Sequence, residues 1–261
     1  MTESSAFEAT AREGVLRVRH PGARWLSTGW SGGRSRGDAA YNVSVPEGFD
    51  RTDLDAYRDE RLTRSGFESR GETDEDATPP TLFTGVSMRH ARGARHGSVV
   101  AYATAGLSNP AMLPMEPEGD GEGARSATDS GATPDNAFPD SEPPARPGTV
   151  NLIVGTTRRL ADGAAANLVA VAAEAKATTL LKTAGVPGTT SDAVVVADDP
   201  AGELAAFSGS ATPVGAAARV CVRDALRASL RSRYPDGEFP GPTSDAEHGV
   251  VADDGAEVFE L

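Results

Sequence analysis

Glu174 and Lys176 are the only charged side chains between Gly163 and Leu181, a run otherwise made of apolar and small residues. A helix through this run would be buried on most sides. Residues two apart on a helix lie about 200° around its axis, so the two cannot form a same-face ion pair. A buried charge costs several kcal/mol unless it is paired or hydrogen-bonded. At least one of the two must therefore reach a partner, a pocket or solvent. Either both emerge at the edges of the buried face and make ordinary salt bridges, or one serves a site. Gly188-Thr189-Thr190-Ser191-Asp192 is a hydroxyl-rich loop before an apolar run. Such a loop can offer backbone N–H and hydroxyl donors to a ligand oxygen, though turn chemistry alone selects the same residues. Ser208-Gly209-Ser210-Ala211 precedes a second helix, whose N-terminus favours a polar or anionic group.

Other chemistries lack their residues. Cys221 is the single cysteine, so no intramolecular disulfide is possible. It falls on the apolar side of its helix, where a core thiol is expected rather than a nucleophile. His20 and His248 lie in peripheral segments and are expected to be solvated. His90 and His96 flank an arginine-rich turn, read as a surface hairpin, with a metal pair or an anion patch as the sharper alternatives. No zinc spacing, P-loop, dinucleotide fingerprint or nucleophile elbow is present. Basic residues are dispersed and aromatics make up only 5%, which argues against nucleic-acid binding.

These residues need elements to hold them. Val15–Val18, 39–45 and 98–105 read as strands in the first part of the chain, with a charged helix from Asp53 to Arg64 between them and Asp53 as its possible N-cap. Thr149–Gly155 and Ala193–Ala197 are short apolar runs of buried-strand type. Asp162 can cap a helix that runs to about Thr183 and stops at Gly185. Thr212-Pro213 is an N-cap followed by proline at the first helical position. The helix it opens turns Val214, Ala218, Cys221, Ala225 and Leu226 toward the core. The strand–helix–strand–helix order predicts an α/β or α+β fold, a layered sheet with packed helices in one globular domain. That domain is expected to comprise residues 14–113 and 148–234, behind a flexible N-terminus over 1–13.

Net charge is −13 but unevenly placed. Residues 114–147 hold eight acids, two arginines and seven prolines, and residues 235–261 hold eight acids and no Lys or Arg. The first segment is read as a disordered insertion and the second as an acidic tail, since neither can bury enough apolar surface to order itself. Lys176 and Lys182 are the only lysines against 23 arginines, a composition expected of a salt-adapted cytosolic protein. The polar, acidic N-terminus does not read as a signal peptide. The Gly163–Leu181 run, with Asn167, Glu174 and Lys176, is a poor membrane span.

The segments Ala103-Thr104-Ala105-Gly106-Leu107-Ser108-Asn109-Pro110, Gly148-Thr149-Val150-Asn151, Asp162-Gly163-Ala164, Glu174-Ala175-Lys176-Ala177 and the loop ending in Asp192 stand in an order and approximate spacing that resembles the adenosylcobinamide amidohydrolases of archaeal corrinoid salvage. Gly32-Gly33, Asn42 and Thr84-Gly85-Val86 are similar to that family too. The loop before Asp192 is shorter than the family's Thr-Gly-Thr-rich one, and Ser208–Thr212 replaces an aromatic-Ala-Gly-Thr stretch. The resemblance implies hydrolysis of the amide joining the corrin side chain of adenosylcobinamide to aminopropanol, giving adenosylcobyric acid. Amide hydrolysis needs an activated nucleophile, oxyanion stabilisation and a proton for the leaving amine. On this reading Glu174, Lys176 and Asn151 are the catalytic candidates, with Glu174 as acid or base and Asn151 or Asn109 holding the oxyanion. Asn109, Asp162, Thr189, Thr190, Asp192 and Gly209 would bind substrate. A covalent route through Thr149 or Ser108 stays open, as does a metal held by Asp162, Glu174 or Asp192, although no protein-bound metal or cofactor is expected beyond the cobalt of the substrate itself. The expected partner is a small corrinoid, with no nucleic acid and no membrane. A protein that binds and delivers the corrinoid without cutting it is the alternative, as is a related hydrolase of another amide.

Overall fold

The computed structural model describes residues 7–67, 78–115, 148–240, 249–252 and 254–260. Most of the acidic, proline-rich segment, together with His248, lies outside them. A mixed sheet dominates. Its elements are β1 (Glu8–Arg12), β2 (Val15–Ser27), β3 (Gly33–Ser44), β4 (Thr81–Thr84), β5 (Arg92–His96), β6 (Val99–Ala105), β8 (Val150–Thr156) and β10 (Ala193–Asp198). The strand order is β4-β3-β2-β10-β8-β6-β5, with β1 added to β2. The β3–β4 and β8–β10 pairs are parallel and the other pairings in this sheet are antiparallel. Two-residue pairs, β7 (Ala111–Met112) with β12 (Val250–Val251) and β9 (Arg159–Leu160) with β11 (Leu204–Ala205), complete the strands.

The helices are α1 (Leu54–Ser65), α2 (Asp162–Ala184) and α3 (Pro213–Arg233). Both long helices start and stop near their sequence signals. Thr212 Oγ1 accepts the Gly215 N–H at 3.0 Å, and Gly185 closes α2 in the left-handed region. Asp162, expected as a cap, is instead the first helical residue after Ala161, where its charge favours the positive helix end. Asp53 is at the N-cap of α1 but spends its carboxylate on Arg51.

Alternate residues of β8 pack on opposite faces. Val150, Leu152 and Val154 join the core beneath α2 and α3, along with Leu168, Leu180, Cys221, Leu226 and Leu230. Ile153 joins a second core on the other face, built almost wholly from strands, with Leu16, Val18, Trp25, Leu82, Val100 and Val195. A sheet can enclose such a core only by curling on itself. The hairpin β2–β3 makes that possible. Its register shifts between Arg19 and Ala23, where Pro21-Gly22 forms a bulge, with Gly22 at φ +65° and its N–H on Asp38 Oδ1 at 2.8 Å. One half of the hairpin pairs with β10 and the other half carries β1 and β4. Beyond the sequence reading of short strands, His20-Pro21-Gly22 is a bend inside one long strand rather than a turn that ends it. A third, smaller core of Val15, Tyr41, Val43, Tyr57, Leu62 and Phe67 seats α1.

By length and composition α2 is the one helix among the described residues that would cross a membrane. In the fold its apolar side covers the sheet and α3. The C-terminal segment is not wholly unpaired, because Val250–Val251 forms a parallel strand pair with Ala111–Met112.

Leu152→Ala and Ile153→Ala, neighbours on β8 that face different cores, are each expected to lower unfolding free energy by about 2–5 kcal/mol in urea titrations. A loss of under about 0.5 kcal/mol for Ile153→Ala would show its face open to water.

Candidate active site

The parallel strands β8 and β10 start side by side, and polar residues gather at their amino ends on both faces of the sheet. On the helix side stands Asp192. Its Oδ1 accepts the Val150 N–H at 2.9 Å and the Thr189 hydroxyl, while its Oδ2 accepts the Thr189 N–H at 3.1 Å and Lys176 Nζ. Both members of the ion pair are nearly buried. A carboxylate offers about four lone-pair sites, and here four donors occupy them. Asp192 thus ties α2 to the first residue of β8 and to its own loop. Thr190 donates its backbone N–H to Asn109 O at 3.1 Å, and Pro110 bridges to Thr189. Lys176, Asp192, Thr189, Thr190 and Asn109, singled out in the sequence as ligand-facing, therefore do converge, and they mostly bind one another. The Asn109 side-chain oxygen is buried without a partner.

On the inner face a directed chain of side-chain amides spans the curl. Asn151 Nδ2 donates to Phe83 O and to Asn42 Oδ1, each at 2.9 Å, and Asn42 Nδ2 donates to Thr104 Oγ1 at 2.9 Å. A backbone carbonyl can only accept, so Phe83 fixes the direction of the whole chain. Both amide hydrogens of Asn151 are spent, which leaves it no donor for an oxyanion. Its Oδ1 is buried and unpartnered. With its amide hydrogens spent, Asn151 does not fit the oxyanion role expected of it. Two residues earlier on the strand, Thr149 Oγ1 and Ser191 Oγ share a hydrogen bond at 2.8 Å.

A cleft of about 280 Å³ opens over the same end, lined by Ser27, Trp30, Gly32, Gly33, Arg34 and Thr81 among others. Trp30 packs edge-on against Phe83, whose carbonyl meets Asn151. The loop over the cleft is tightly folded. A side chain on Gly32 would begin 2.5 Å from Ser27 O and 2.7 Å from Gly29 O, and Ser31 sits at φ +48°.

The other expected residues do not join these clusters. Glu174 is 62% exposed on the outer side of α2 and pairs with Arg219 at 3.3 Å. The sheet separates it from Asn151, so the two cannot act on one bond. Asp162 is 83% exposed at the start of α2 and pairs at 3.1 Å with Arg34, which lines the cleft. Gly209 lies before α3, beside Ser208, whose hydroxyl is buried on Ala164 O. Asp162, Glu174 and Asp192 each meet a different cation and share no common point. Among the described residues no three His, Cys, Asp or Glu side chains gather as a metal site would require.

Cys221 is buried in the helix-side core as expected, its thiol pushed up to about 11 by burial. His20, expected in solvent, is buried, because the bulge at Pro21-Gly22 turns it inward against Phe7, with Nε2 at 3.6 Å from Asp199. The hairpin expected near His90 and His96 is present, but the arginine-rich segment is its strand β5, which His96 ends, and the turn is Gly97-Ser98. Sequence reasoning did not single out Thr104, Trp30 or Phe83 as site residues. Thr104 carries a legible signal as a polar interruption of an apolar strand, whereas Trp30 and Phe83 are met only through the curl.

Fold and site together define a mixed α/β protein whose main sheet curls over a buried network of side-chain amides, with a small cleft beside it. The profile of the adenosylcobinamide amidohydrolases matches residues 1–238, and the chain belongs to that family. It is 54% identical over 253 residues to the adenosylcobinamide amidohydrolase of Halobacterium salinarum, covering 97% of this chain and 99% of the relative. It is 26% identical over 218 residues to the protein of that name from Methanosarcina mazei, covering 80% and 90% respectively.

Lys176→Met leaves Asp192 buried without its cation and is expected to cost about 3–5 kcal/mol in urea unfolding. Lys176→Met/Asp192→Asn should recover much of that loss. A Lys176→Met protein that kept its unfolding midpoint but lost turnover would move the pair from scaffold to chemistry.

Proposed function

We propose that this chain hydrolyses adenosylcobinamide at the amide joining the corrin side chain to aminopropanol, releasing adenosylcobyric acid that can re-enter coenzyme B12 assembly. The observation that carries the reading is membership of the amidohydrolase family, with more than half of all residues identical to a salt-loving relative across nearly the full length of both chains. The inner face supplies groups suited to the reaction. Asn151, buried and tied to Phe83 and Asn42, would hold the strand end next to Thr149 in register. Thr149 and Ser191, about 7 Å along the strand from Asn151, bring hydroxyls that can donate to the amide carbonyl or attack it. The cleft under Trp30 would admit the aminopropanol arm and leave the bulk of the corrin outside. Cobalt enters as part of the substrate, and the scheme calls on no resident metal or cofactor. The setting proposed is the cytoplasm, with a small corrinoid as partner and neither nucleic acid nor membrane.

Incubation of the full chain with adenosylcobinamide in molar KCl, followed by mass spectrometry, is expected to yield adenosylcobyric acid and free aminopropanol. Recovery of intact cobinamide with folded protein, protected against thermal unfolding by the ligand, would replace hydrolysis with binding and delivery. Glu174→Gln is expected to keep kcat within about threefold, the scale of one surface ion pair. Abolished turnover in that variant would return Glu174 to the acid–base role.

A further inference from the structure

Away from the cleft, the last turn of α3 meets the short helical turn Met88–His90 and the start of β5. Arg92 is fixed there by Nη1, which donates to the carbonyls of Arg89 at 2.7 Å and Ala91 at 2.8 Å, and its Nη2 donates to Ser232 Oγ at 2.6 Å. Arg89 Nε donates to His90 Nε2 at 2.9 Å, so the ring proton of neutral His90 resides on Nδ1, which faces Ser232 Oγ at 3.0 Å. The Ser232 oxygen thus accepts twice, and its own hydrogen has no acceptor among the described residues. Arg233 adds a third guanidinium beside them. Burial, then the charges of Arg89, Arg233 and Arg92, hold the His90 pKa below its ordinary value.

Of the twenty described arginines eight have a carboxylate partner among the described residues, and Arg89, Arg92 and Arg233 are not among them. What sets these three apart is that they gather around one histidine, His90. Like charges gathered this closely repel unless an anion stands among them. What the cluster presents is donors only: the Ser232 hydroxyl, the second Nη2 hydrogen of Arg92, and the terminal nitrogens of Arg89 and Arg233. One guanidinium fork satisfies a planar carboxylate, whereas donors from several directions suit a tetrahedral oxyanion.

We propose that Arg89, Arg92, Ser232 and Arg233 form a binding site for a phosphate group. The site lies away from the cleft but reaches the end of β6 that carries Thr104: the guanidinium of Arg233 lies 3.6 Å from where a side chain on Gly106, just after that strand, would begin. A phosphate carried by a small molecule could therefore be held here while the rest of the molecule reaches toward the cleft. Free inorganic phosphate would satisfy the same donors.

The test follows the His90 ring resonances of the full chain by NMR during titration with inorganic phosphate at constant ionic strength. Saturable shifts are expected, with the His90 pKa rising as the anion offsets the guanidinium charge. Arg92→Gln should weaken binding by about tenfold or more, equivalent to about 1.4 kcal/mol. Ser232→Ala, which removes one donor and no charge, serves should the arginine variant fail to fold, and it too should weaken binding. Arg219→Gln, outside the cluster, should leave binding unchanged. The same titration with O-phosphoethanolamine separates the sources: tighter binding than inorganic phosphate marks a phosphorylated small molecule, and equal binding marks the free anion. No saturation below about 10 mM phosphate, or equal affinity in the wild-type, Arg92→Gln and Ser232→Ala proteins, would overturn the site.

Discussion

A sheet with apolar residues on both faces must cover both, and the two long helices among the described residues lie on the same side. The other face is covered by the sheet itself, bent over through the bulge at Pro21-Gly22. Everything distinctive about the molecule depends on that bend. It brings β3 and β4 over β6 and β8, strands that are not their neighbours in the sheet, and so creates an interior lined almost wholly by strands. Burying that interior is favourable by roughly 25 cal/mol per Å² of apolar surface removed from water. Among the strand pairs of this sheet the register shifts only at the bulge.

Where the curl closes, the chain places amides instead of aliphatic side chains. Asn42, Thr104 and Asn151 come from three strands and hydrogen-bond across the interior in a fixed direction. A buried polar network is stabilising only when its members are satisfied, and in this one every side-chain nitrogen and oxygen has a hydrogen-bond partner except Asn151 Oδ1. That exception is on the residue whose neighbours along the strand carry hydroxyls and whose backbone partner supports the wall of the cleft. The polar chemistry of the protein is concentrated at an interior made by folding the sheet over, not on the helices.

The charged knot on the other side of the same strand ends has the opposite character. Lys176 and Asp192 are nearly buried, and Asp192 has its oxygens fully engaged. Such a pair fixes geometry: it locks the start of β8, the start of β10 and the middle of α2 to one another. Thr149 and Asn151 flank the residue whose N–H Asp192 receives, so a rigid anchor on the helix side holds the inner-face groups in register. High salt screens surface pairs strongly, with a Debye length of about 3 Å at 1 M, and buried pairs far less. An anchor of this kind withstands high salt better than the exposed pair of Glu174 with Arg219.

Much of this was legible in the amino-acid order. The apolar runs at Thr149–Gly155 and Ala193–Ala197, the Thr212-Pro213 start and the Gly185 stop marked the strands and helices of the second half, since local propensity and capping act within a few residues. The motifs around Thr104, Asn109, Asn151 and Asp192 carried the family. The pairing of Glu174 and Lys176 with separate partners also followed from their angular separation on a helix. What the sequence could not decide is which polar residues share a face. Glu174, Lys176 and Asn151 look like one set in the chain, yet a sheet stands between Asn151 and the helix that bears the other two. His20-Pro21-Gly22 lies beyond the strand read at Val15–Val18, and only the pairing of the residues on either side of it, with β3 and with β10, makes it the bend on which the interior depends. Strand pairing joins residues far apart in the chain through backbone hydrogen bonds, which carry no side-chain code, so register and curvature are settled by the packing of the whole sheet.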